Sequence, residues 1–225
     1  MTSLLFDFLS EAEIDASDAN VKEFDVKPVE IQAIRQFVEQ WHYSHNVNGL
    51  RVAQCFALTW NDSIIGAMIF GQVGMANAWK PYGDCEDDVV ELRRLCCIDN
   101  TPKCTESYFI GKALRWMKQH TSFEVVVSYA DAFHDHRGVI YQATNFLYLG
   151  QTSKGKVIMY DGRQYHDKTI RTTYTNKFGE TKLKPFAQRV KDALDSGAAH
   201  YVNTPGKHIY VYPLTKKARK RFKDR

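Results

Sequence analysis

Three short stretches of this chain gather residue types that do chemistry. In Ser128-Tyr-Ala-Asp131 an apolar run ends in a carboxylate, and His134-Asp-His136-Arg-Gly138 and then Tyr141 follow closely. Asp131 is placed there to act as a general base or to orient His136, with Tyr141 as a proton donor. The plainer reading is that Asp131 caps the next turn and the histidines are solvated. A second stretch, Trp41-His42-Tyr43-Ser44-His45, sets two histidines three apart. Joined with Asp131, His134 and His136 it makes a nitrogen-and-oxygen donor set of the kind that binds a transition metal, with His42, Asp131 and His136 as ligands; such spacing also arises by chance. The third runs from Glu91-Leu-Arg-Arg94-Leu95 into Asn100-Thr-Pro-Lys103-Cys-Thr105-Glu-Ser107. A strand feeding a helix start offers free backbone N–H groups and the positive end of the helix dipole, which suits a pyrophosphate. No glycine-rich phosphate turn is present, so Lys103, Thr105 and Ser107 are the candidate donors, against the simpler role of a helix cap.

The elements that must position these groups follow from the hydrophobic period. Ile31, Ile34, Phe37, Val38 and Trp41 fall on one face of a helix over 29–41, with Pro28 at its first turn. Residues 53–60 and 63–70 read as a hairpin turning on Asn61-Asp62, and 89–98 as a third long strand. A helix over 107–120 leads to a short apolar strand at 124–129. A short helix over 139–146, a strand from 147, a hairpin at 157–165, a helix over 185–194 and a strand over 208–212 complete the series. This order implies an α/β (α+β) fold, a mixed sheet with helices on both faces and a central βαβ unit around 89–129, and it resembles the acetyltransferase (GNAT) fold. Parallel strands parting after the third strand leave a cleft at their carboxyl ends, the usual place for a ligand.

The 225 residues suffice for one sizeable core, and the expected organisation is an acidic arm over 1–27, a single catalytic domain over 28–215 and a basic tail over 216–225. No apolar run approaches the ~18 residues of a membrane-spanning helix, and the N-terminus lacks the basic flank of a secretory signal. The expectation is a cytoplasmic protein with no membrane partner. The five cysteines form no Cys-x-x-Cys pair, and their odd number argues against a fully paired disulfide set; Cys96-Cys97 reads as buried hydrophobe. Residues 1–150 hold 12 Lys/Arg against 20 Asp/Glu, whereas 151–225 hold 18 against 6. Such a basic half points to a polyanion. Lys154, Lys156, Arg163, Lys168 and Arg171, with Lys216, Lys217, Arg219, Lys220 and Arg221 of the tail, are the candidate nucleic-acid contacts.

Trp41-His-Tyr-Ser, Glu91-Leu-Arg-Arg-Leu, Pro102-Lys-Cys-Thr-Glu-Ser, Ser128-Tyr-Ala-Asp, His136-Arg-Gly-Val-Ile-Tyr-Gln-Ala-Thr-Asn-Phe and Leu147-Tyr-Leu-Gly150 together resemble the phage Mom DNA-modification proteins. The resemblance covers about residues 38–222 and is most specific over 91–150. It implies a GNAT-like enzyme of the host cytoplasm that uses acetyl-CoA to convert adenine in phage DNA to an N6-carbamoylmethyl form, blocking restriction. It carries functional roles onto His42, Tyr43, Arg94, Ser107, Asp131 and Tyr141, and implies iron as the metal. Two departures stand out: Cys104 occupies a place where a polar residue, commonly asparagine, is expected, and His134 has no counterpart.

That chemistry sets its own demands. The exocyclic amine of adenine is a weak nucleophile, shielded in a duplex, so the base must be flipped out. Asp131 or His42 suits the base near the amine, Tyr43, Trp79 or Tyr82 the aromatic surface, and the basic half the backbone. Acyl transfer alone yields an acetamide, so the carbamoylmethyl group needs a further nitrogen source. A transferase of the same fold acting on another amine (a hypermodified pyrimidine, RNA or a protein lysine) and a non-catalytic nucleic-acid-binding module are the alternatives.

Overall fold

The structure is a computed structural model and describes residues 14–132 and 136–223; His134 and the first half of the acidic arm lie outside them. The chain forms two compact units. The first comprises the residues up to 130 together with 138–150 and 209 onward, and the second comprises 131–137 and 151–208.

The first unit is built on a seven-stranded mixed sheet. Its strands are β1 (Asp25–Val29), β2 (Val52–Trp60), β3 (Ser63–Gly71), β4 (Val89–Cys97), β5 (Val125–Ala130), β6 (Leu147–Gln151) and, last in the chain, β12 (His208–Pro213), in the order β1-β2-β3-β4-β5-β12-β6. Helices α1 (Ile31–Trp41), α2 (Thr105–His120), α3 (Val139–Ala143) and α5 (Lys216–Arg221) accompany it. Pro28 is part of edge strand β1 rather than of the α1 first turn; at a sheet edge its missing N–H costs no ladder bond. Asn61 and Asp62 turn the β2–β3 hairpin with φ of 47° and 61°, the left-handed pair that a tight hairpin demands.

The alternation of β4 and β5 divides the core. Val90, Leu92 and Val126 join Ile34, Phe37 and Val38 of α1 and Phe109, Ile110, Ala113, Leu114 and Met117 of α2 in one cluster. Val89, Val125 and Val127 face the other way, against Tyr82, Val211, Ala218 and Phe222. The arm is not loose where it is described: Ile14, Ala16 and Phe24 are buried in the first cluster. Burial also holds the thiols of Cys55 and Cys96 up at about 12, so both act as apolar filler.

The segment read as a basic tail is helix α5, docked by Ala218 (0% exposed) and Phe222 (4%). Lys217 pairs with Asp84 and Glu124, both at 2.8 Å. Arg221 donates to the Tyr82 carbonyl at 2.6 Å and to Asp84 at 2.5 Å. The hydrogen bond from Lys217 holds the Asp84 carboxyl below its ordinary 3.8, and donating to Asp84 and Glu124 pushes the Lys217 ammonium above 10.5. A lowered carboxyl contributes stability above its unfolded pKa and loses it as pH falls through the folded value; a raised ammonium contributes below its unfolded pKa and loses it as pH rises. The clamp is therefore complete from about pH 4 to pH 10. Lys217→Met is expected to lower the Tm modestly at pH 7, with the difference from the parent shrinking as the pH falls through the lowered Asp84 carboxyl. A difference in Tm that is the same at pH 3 and pH 7 would show that the ion pairs are not its cause.

The second unit is smaller. Strands β7 (Gly155–Tyr160), β8 (Arg163–His166) and β11 (Ala199–Thr204) form a sheet in the order β11-β7-β8. Helix α4 (Pro185–Asp195) packs Val190 and Ala193 on Ile158 and Ala199. Strands β9 (Thr173–Thr175) and β10 (Thr181–Leu183) make a separate hairpin. The chain leaves the large sheet at the end of β6 and re-enters it at the start of β12, so the 151–208 part of this unit is an insertion between two strands.

Candidate active site

Strand β4 breaks its ladder twice, and both breaks open the sheet. Against β3, Phe70 opposes Leu92 and Ile69 opposes Arg94, so Arg93 is an extra residue, a bulge of the sort common beside active sites. Against β5 the parallel pairing covers only Val89–Val125, Val90–Val126 and Glu91–Val127, although both strands run on. Past Glu91 the strands part, as the sequence order implied, and the chemistry-bearing residues of the first unit gather there.

His42 closes α1, its N–H donating to the Val38 carbonyl at 3.0 Å, and it is 4% exposed. The Ser44 N–H donates to Nδ1 at 3.1 Å and the Ser44 hydroxyl lies 2.8 Å from the same nitrogen. Nδ1 is thus an acceptor, which puts the imidazole proton on Nε2. The Tyr43 ring lies 4.3 Å from the His42 ring and is 57% exposed. Arg94 ties this loop to β4: Nε donates to the Asn46 carbonyl at 3.2 Å and Nη1 to the Arg93 carbonyl at 2.8 Å. Burial draws the Arg94 guanidinium below its ordinary value, and the nearby Tyr43 and Glu91 oppose that shift.

Tyr141 stands on α3, its ring 5.2 Å from Tyr210 and 5.3 Å from Phe146. Burial raises its phenol above 10, a hydrogen bond with Ser128 pulls the other way, and Tyr43 and Glu91 add to the rise. At neutral pH Tyr141 keeps its proton, which makes it a donor rather than a base. The structure therefore brings His42, Tyr43, Arg94 and Tyr141 into one neighbourhood of the first unit, with Ser128 and Glu91 beside them.

Glu91 and Arg93 carry no role in the sequence reading. Glu91 Oε2 accepts from the Gly74 N–H at 3.0 Å and from Arg93 Nη1 at 2.9 Å, with the carboxylate side chain 13% exposed. The pair pins the loop after β3 at the point where the strands part. Its one sequence signal is the opposite charge of Glu91 and Arg93 at i,i+2 within a strand that starts and ends apolar. Tyr82 is 5% exposed and its hydroxyl meets that of Tyr129 at 3.3 Å. It is a core residue and offers no surface to a base; Tyr43 does.

At the start of α2 the candidate cofactor donors divide. Thr105 is fully buried with its hydroxyl donating to the Pro102 carbonyl at 2.7 Å, and the Ser107 hydroxyl donates to the Cys104 carbonyl at 2.9 Å. Both serve the turn. Cys104, at φ 72°, caps the helix without a side-chain hydrogen bond; the left-handed conformation accounts for asparagine being the expected residue there. Anion donors at this end are the backbone amides and the exposed Lys103.

Asp131 and His136 belong to the second unit. Asp131 Oδ2 pairs with Lys207 Nζ at 2.7 Å, and its carbonyl accepts the His136 N–H at 3.1 Å. A carboxylate committed to an ammonium is a poor metal ligand, so the donor set His42, Asp131 and His136 does not fit iron, and no step is derived through a metal. Among the described residues, the carboxylates within ligating reach of one another are Asp84, Asp88 and Glu124, where Lys217 and Arg221 already supply the positive charge. Of the candidate DNA contacts, Lys154, Lys156, Arg163, Lys168 and Arg171 are exposed on the second unit, with Arg171 paired to Asp167. Lys216, Arg219 and Lys220 are exposed on α5, whereas Lys217 and Arg221 are used in the clamp.

An antiparallel meander, a βαβ unit and parallel strands that part past Glu91 make up a mixed α/β domain with the GNAT-like element order that the sequence implied. Solved structures similar to the chain include Arabidopsis thaliana NAA60 in complex with acetyl-CoA (TM-score 0.48, 10% identity, 84% of this chain and 98% of that one) and the ribosomal-protein-S18-alanine N-acetyltransferase from Escherichia coli (0.44, 10%, 85% and 94%). The chain belongs to the Mom protein family, whose model matches residues 23–225. The methylcarbamoylase Mom of Escherichia phage Mu is a relative, 26% identical over 204 residues that cover 89% of this chain and 80% of that protein.

Proposed function

We propose that this chain is a DNA-modification transferase that places an acetyl-CoA-derived group on the N6 amine of adenine and so protects phage DNA from restriction; the carbamoylmethyl product requires, besides acetyl-CoA, an ammonia-level nitrogen donor for the amide and a two-electron oxidant for the new carbon–nitrogen bond. The observation that carries the reading is the family match over residues 23–225, combined with His42, Tyr43, Arg94 and Tyr141 meeting where β4 and β5 part. Bound acetyl-CoA supplies an acyl group activated as a thioester. Its fit rests on the opening beyond Glu91 and on the α2 start, where no side chain caps the first amides; those amides, with Lys103, would hold the pyrophosphate.

Tyr43, exposed and tilted against the His42 ring, presents a ring face to a flipped adenine. His42 keeps its proton on Nε2, so through that atom it donates to the base or its acceptor edge. Tyr141 Oη holds a proton that it can release to the departing group. Asp131, the candidate carboxylate of the second unit, is neutralised there by Lys207. The exposed cations of the second unit meet the phosphate backbone.

Nucleoside mass spectrometry on plasmid DNA from bacteria expressing the chain, against an empty-vector control, is the direct test. An adenosine species heavier by one carbamoylmethyl group is the expected result. A different adenosine adduct would retain the enzyme class and change the group transferred. Unmodified DNA would reject the reading.

A further inference from the structure

The second unit holds, among its exposed cations, an aromatic hairpin apex that the proposed chemistry does not use. Residues 168–191 contain seven Lys/Arg and one acid, Glu180. All seven cations are exposed, and among the described residues Lys168, Lys177, Lys184, Arg189 and Lys191 enter no ion pair. In the middle of this stretch the β9–β10 hairpin lifts Phe178 into solvent at 75% exposure, with Tyr174 of β9 at 43%.

The apex is ordered. Asn176 Oδ1 accepts from the N–H groups of Phe178 (2.9 Å) and Glu180 (3.0 Å), and Asn176 Nδ2 donates to the Glu180 carboxylate at 2.8 Å. The main chain closes through Asn176 N–H to the Glu180 carbonyl at 2.9 Å and Gly179 N–H to the Asn176 carbonyl at 3.0 Å. Gly179 takes a φ of 81° that other residues adopt only with strain. Lys177 Nζ sits 5.0 Å from the centroid of the Phe178 ring. The turn thus spends its hydrogen bonds on holding one aromatic ring outward among cations. A stable protein partner needs ~800 Å² on each side, far more than one ring supplies. A base step needs only a ring, and the polyanion around it needs the cations.

We infer that the β9–β10 hairpin is a duplex-DNA docking element, with Lys168, Lys177 and Lys184 on the phosphates and Phe178 as an apolar wedge at a base step. The inference rests on DNA being the substrate and says which element of the chain takes hold of it. The test is fluorescence anisotropy of the full chain with a duplex carrying 2-aminopurine, read against salt. The expected results are threefold. Phe178→Ala weakens binding roughly tenfold, the order of one lost base–aromatic stack, and removes the rise in 2-aminopurine emission. Phe178→Trp restores both. Replacing Lys168, Lys177 and Lys184 by Gln lowers the slope of log K against log salt by about 2.7.

If the parent modifies DNA while the Phe178→Ala and triple-Gln variants bind with its affinity and slope, the hairpin inference falls alone. If the parent binds no DNA, it falls together with the proposed substrate. An RNA duplex of equal length bound at least as tightly would also overturn it, assigning the hairpin to RNA. These positions are exposed, so thermal melting curves that overlay the parent's are expected for every variant, and Lys177→Gln alone provides a minimal second check on the salt slope.

Discussion

Replacing Gly138 by alanine is expected to lower stability by about 2–5 kcal/mol and to remove activity with it. Gly138 caps α3 in the left-handed region, φ 72° and ψ 31°, where any Cβ brings about 1–2 kcal/mol of strain. That Cβ would also meet Cε2 of Tyr210 at 2.2 Å and Cζ at 2.6 Å. Tyr210 is 2% exposed, packs at 5.2 Å on Tyr141 and 5.3 Å on Tyr148, and accepts a hydrogen bond from Gln142 Nε2 at 3.0 Å. It cannot swing aside, so either the ring or the whole of α3 must shift, at a cost of about 1–3 kcal/mol for an overpacked core. Against a typical total of 5–15 kcal/mol the loss is severe, and at 2–4 °C per kcal/mol for a chain of this size the Tm falls roughly 4–20 °C. Because Tyr141 rides on the same short helix, the surviving folded fraction misplaces its phenol. Calorimetry of Gly138→Ala, beside the double variant with Tyr210→Leu, checks the cause. A Tm unchanged in the single variant would show that α3 is free to move, and recovery in the double variant would locate the strain at the Tyr210 ring.

The same glycine shows how far a sequence can be read. His136-Arg-Gly-Val is recognisable as a motif, but nothing in its letters says that the glycine lies flat on an aromatic ring seventy positions away. Local periodicity identified α2, β4 and β5, because Phe109, Ile110, Ala113, Leu114 and Met117 repeat at helical spacing and all are buried. It missed β1, because Pro28 fits a helix start as well as an edge strand. It missed α5, whose anchors Ala218 and Phe222 are four apart and hidden among cations. The second unit left no mark, because its boundaries fall at strand ends rather than in a Pro- or Gly-rich linker. For the site, His42, Tyr43, Arg94 and Tyr141 were legible by type. Glu91 and Arg93 were not, since their importance comes from the bulge and the parting of β4 from β5, which are properties of register. The donor set for a metal failed for a related reason: pairing with Lys207 decides what Asp131 can do, and Lys207 lies far along the chain.

Tyr141→Phe is expected to cut the modification rate by about 10²–10⁴-fold, the range for losing a general acid, while leaving the fold intact. The ring packing on Phe146 and Tyr210 does not involve the hydroxyl. The Ser128 hydroxyl also keeps its own acceptor, the Leu92 carbonyl at 3.4 Å. The direction of the pKa shift adds a second readout. Burial raises the phenol above 10, so the protonated form persists across the neutral range and the rate should hold until the pH exceeds 10 before the limb that belongs to Tyr141 appears. In Tyr141→Phe that limb should vanish together with most of the rate, at unchanged Tm. A variant with the parent's rate would remove Tyr141 from the chemistry. A rate loss matched by a fall in Tm would assign it to packing. If the rate drops while an alkaline limb remains, the limb belongs to a different group, with Tyr43, exposed beside His42, the next to replace.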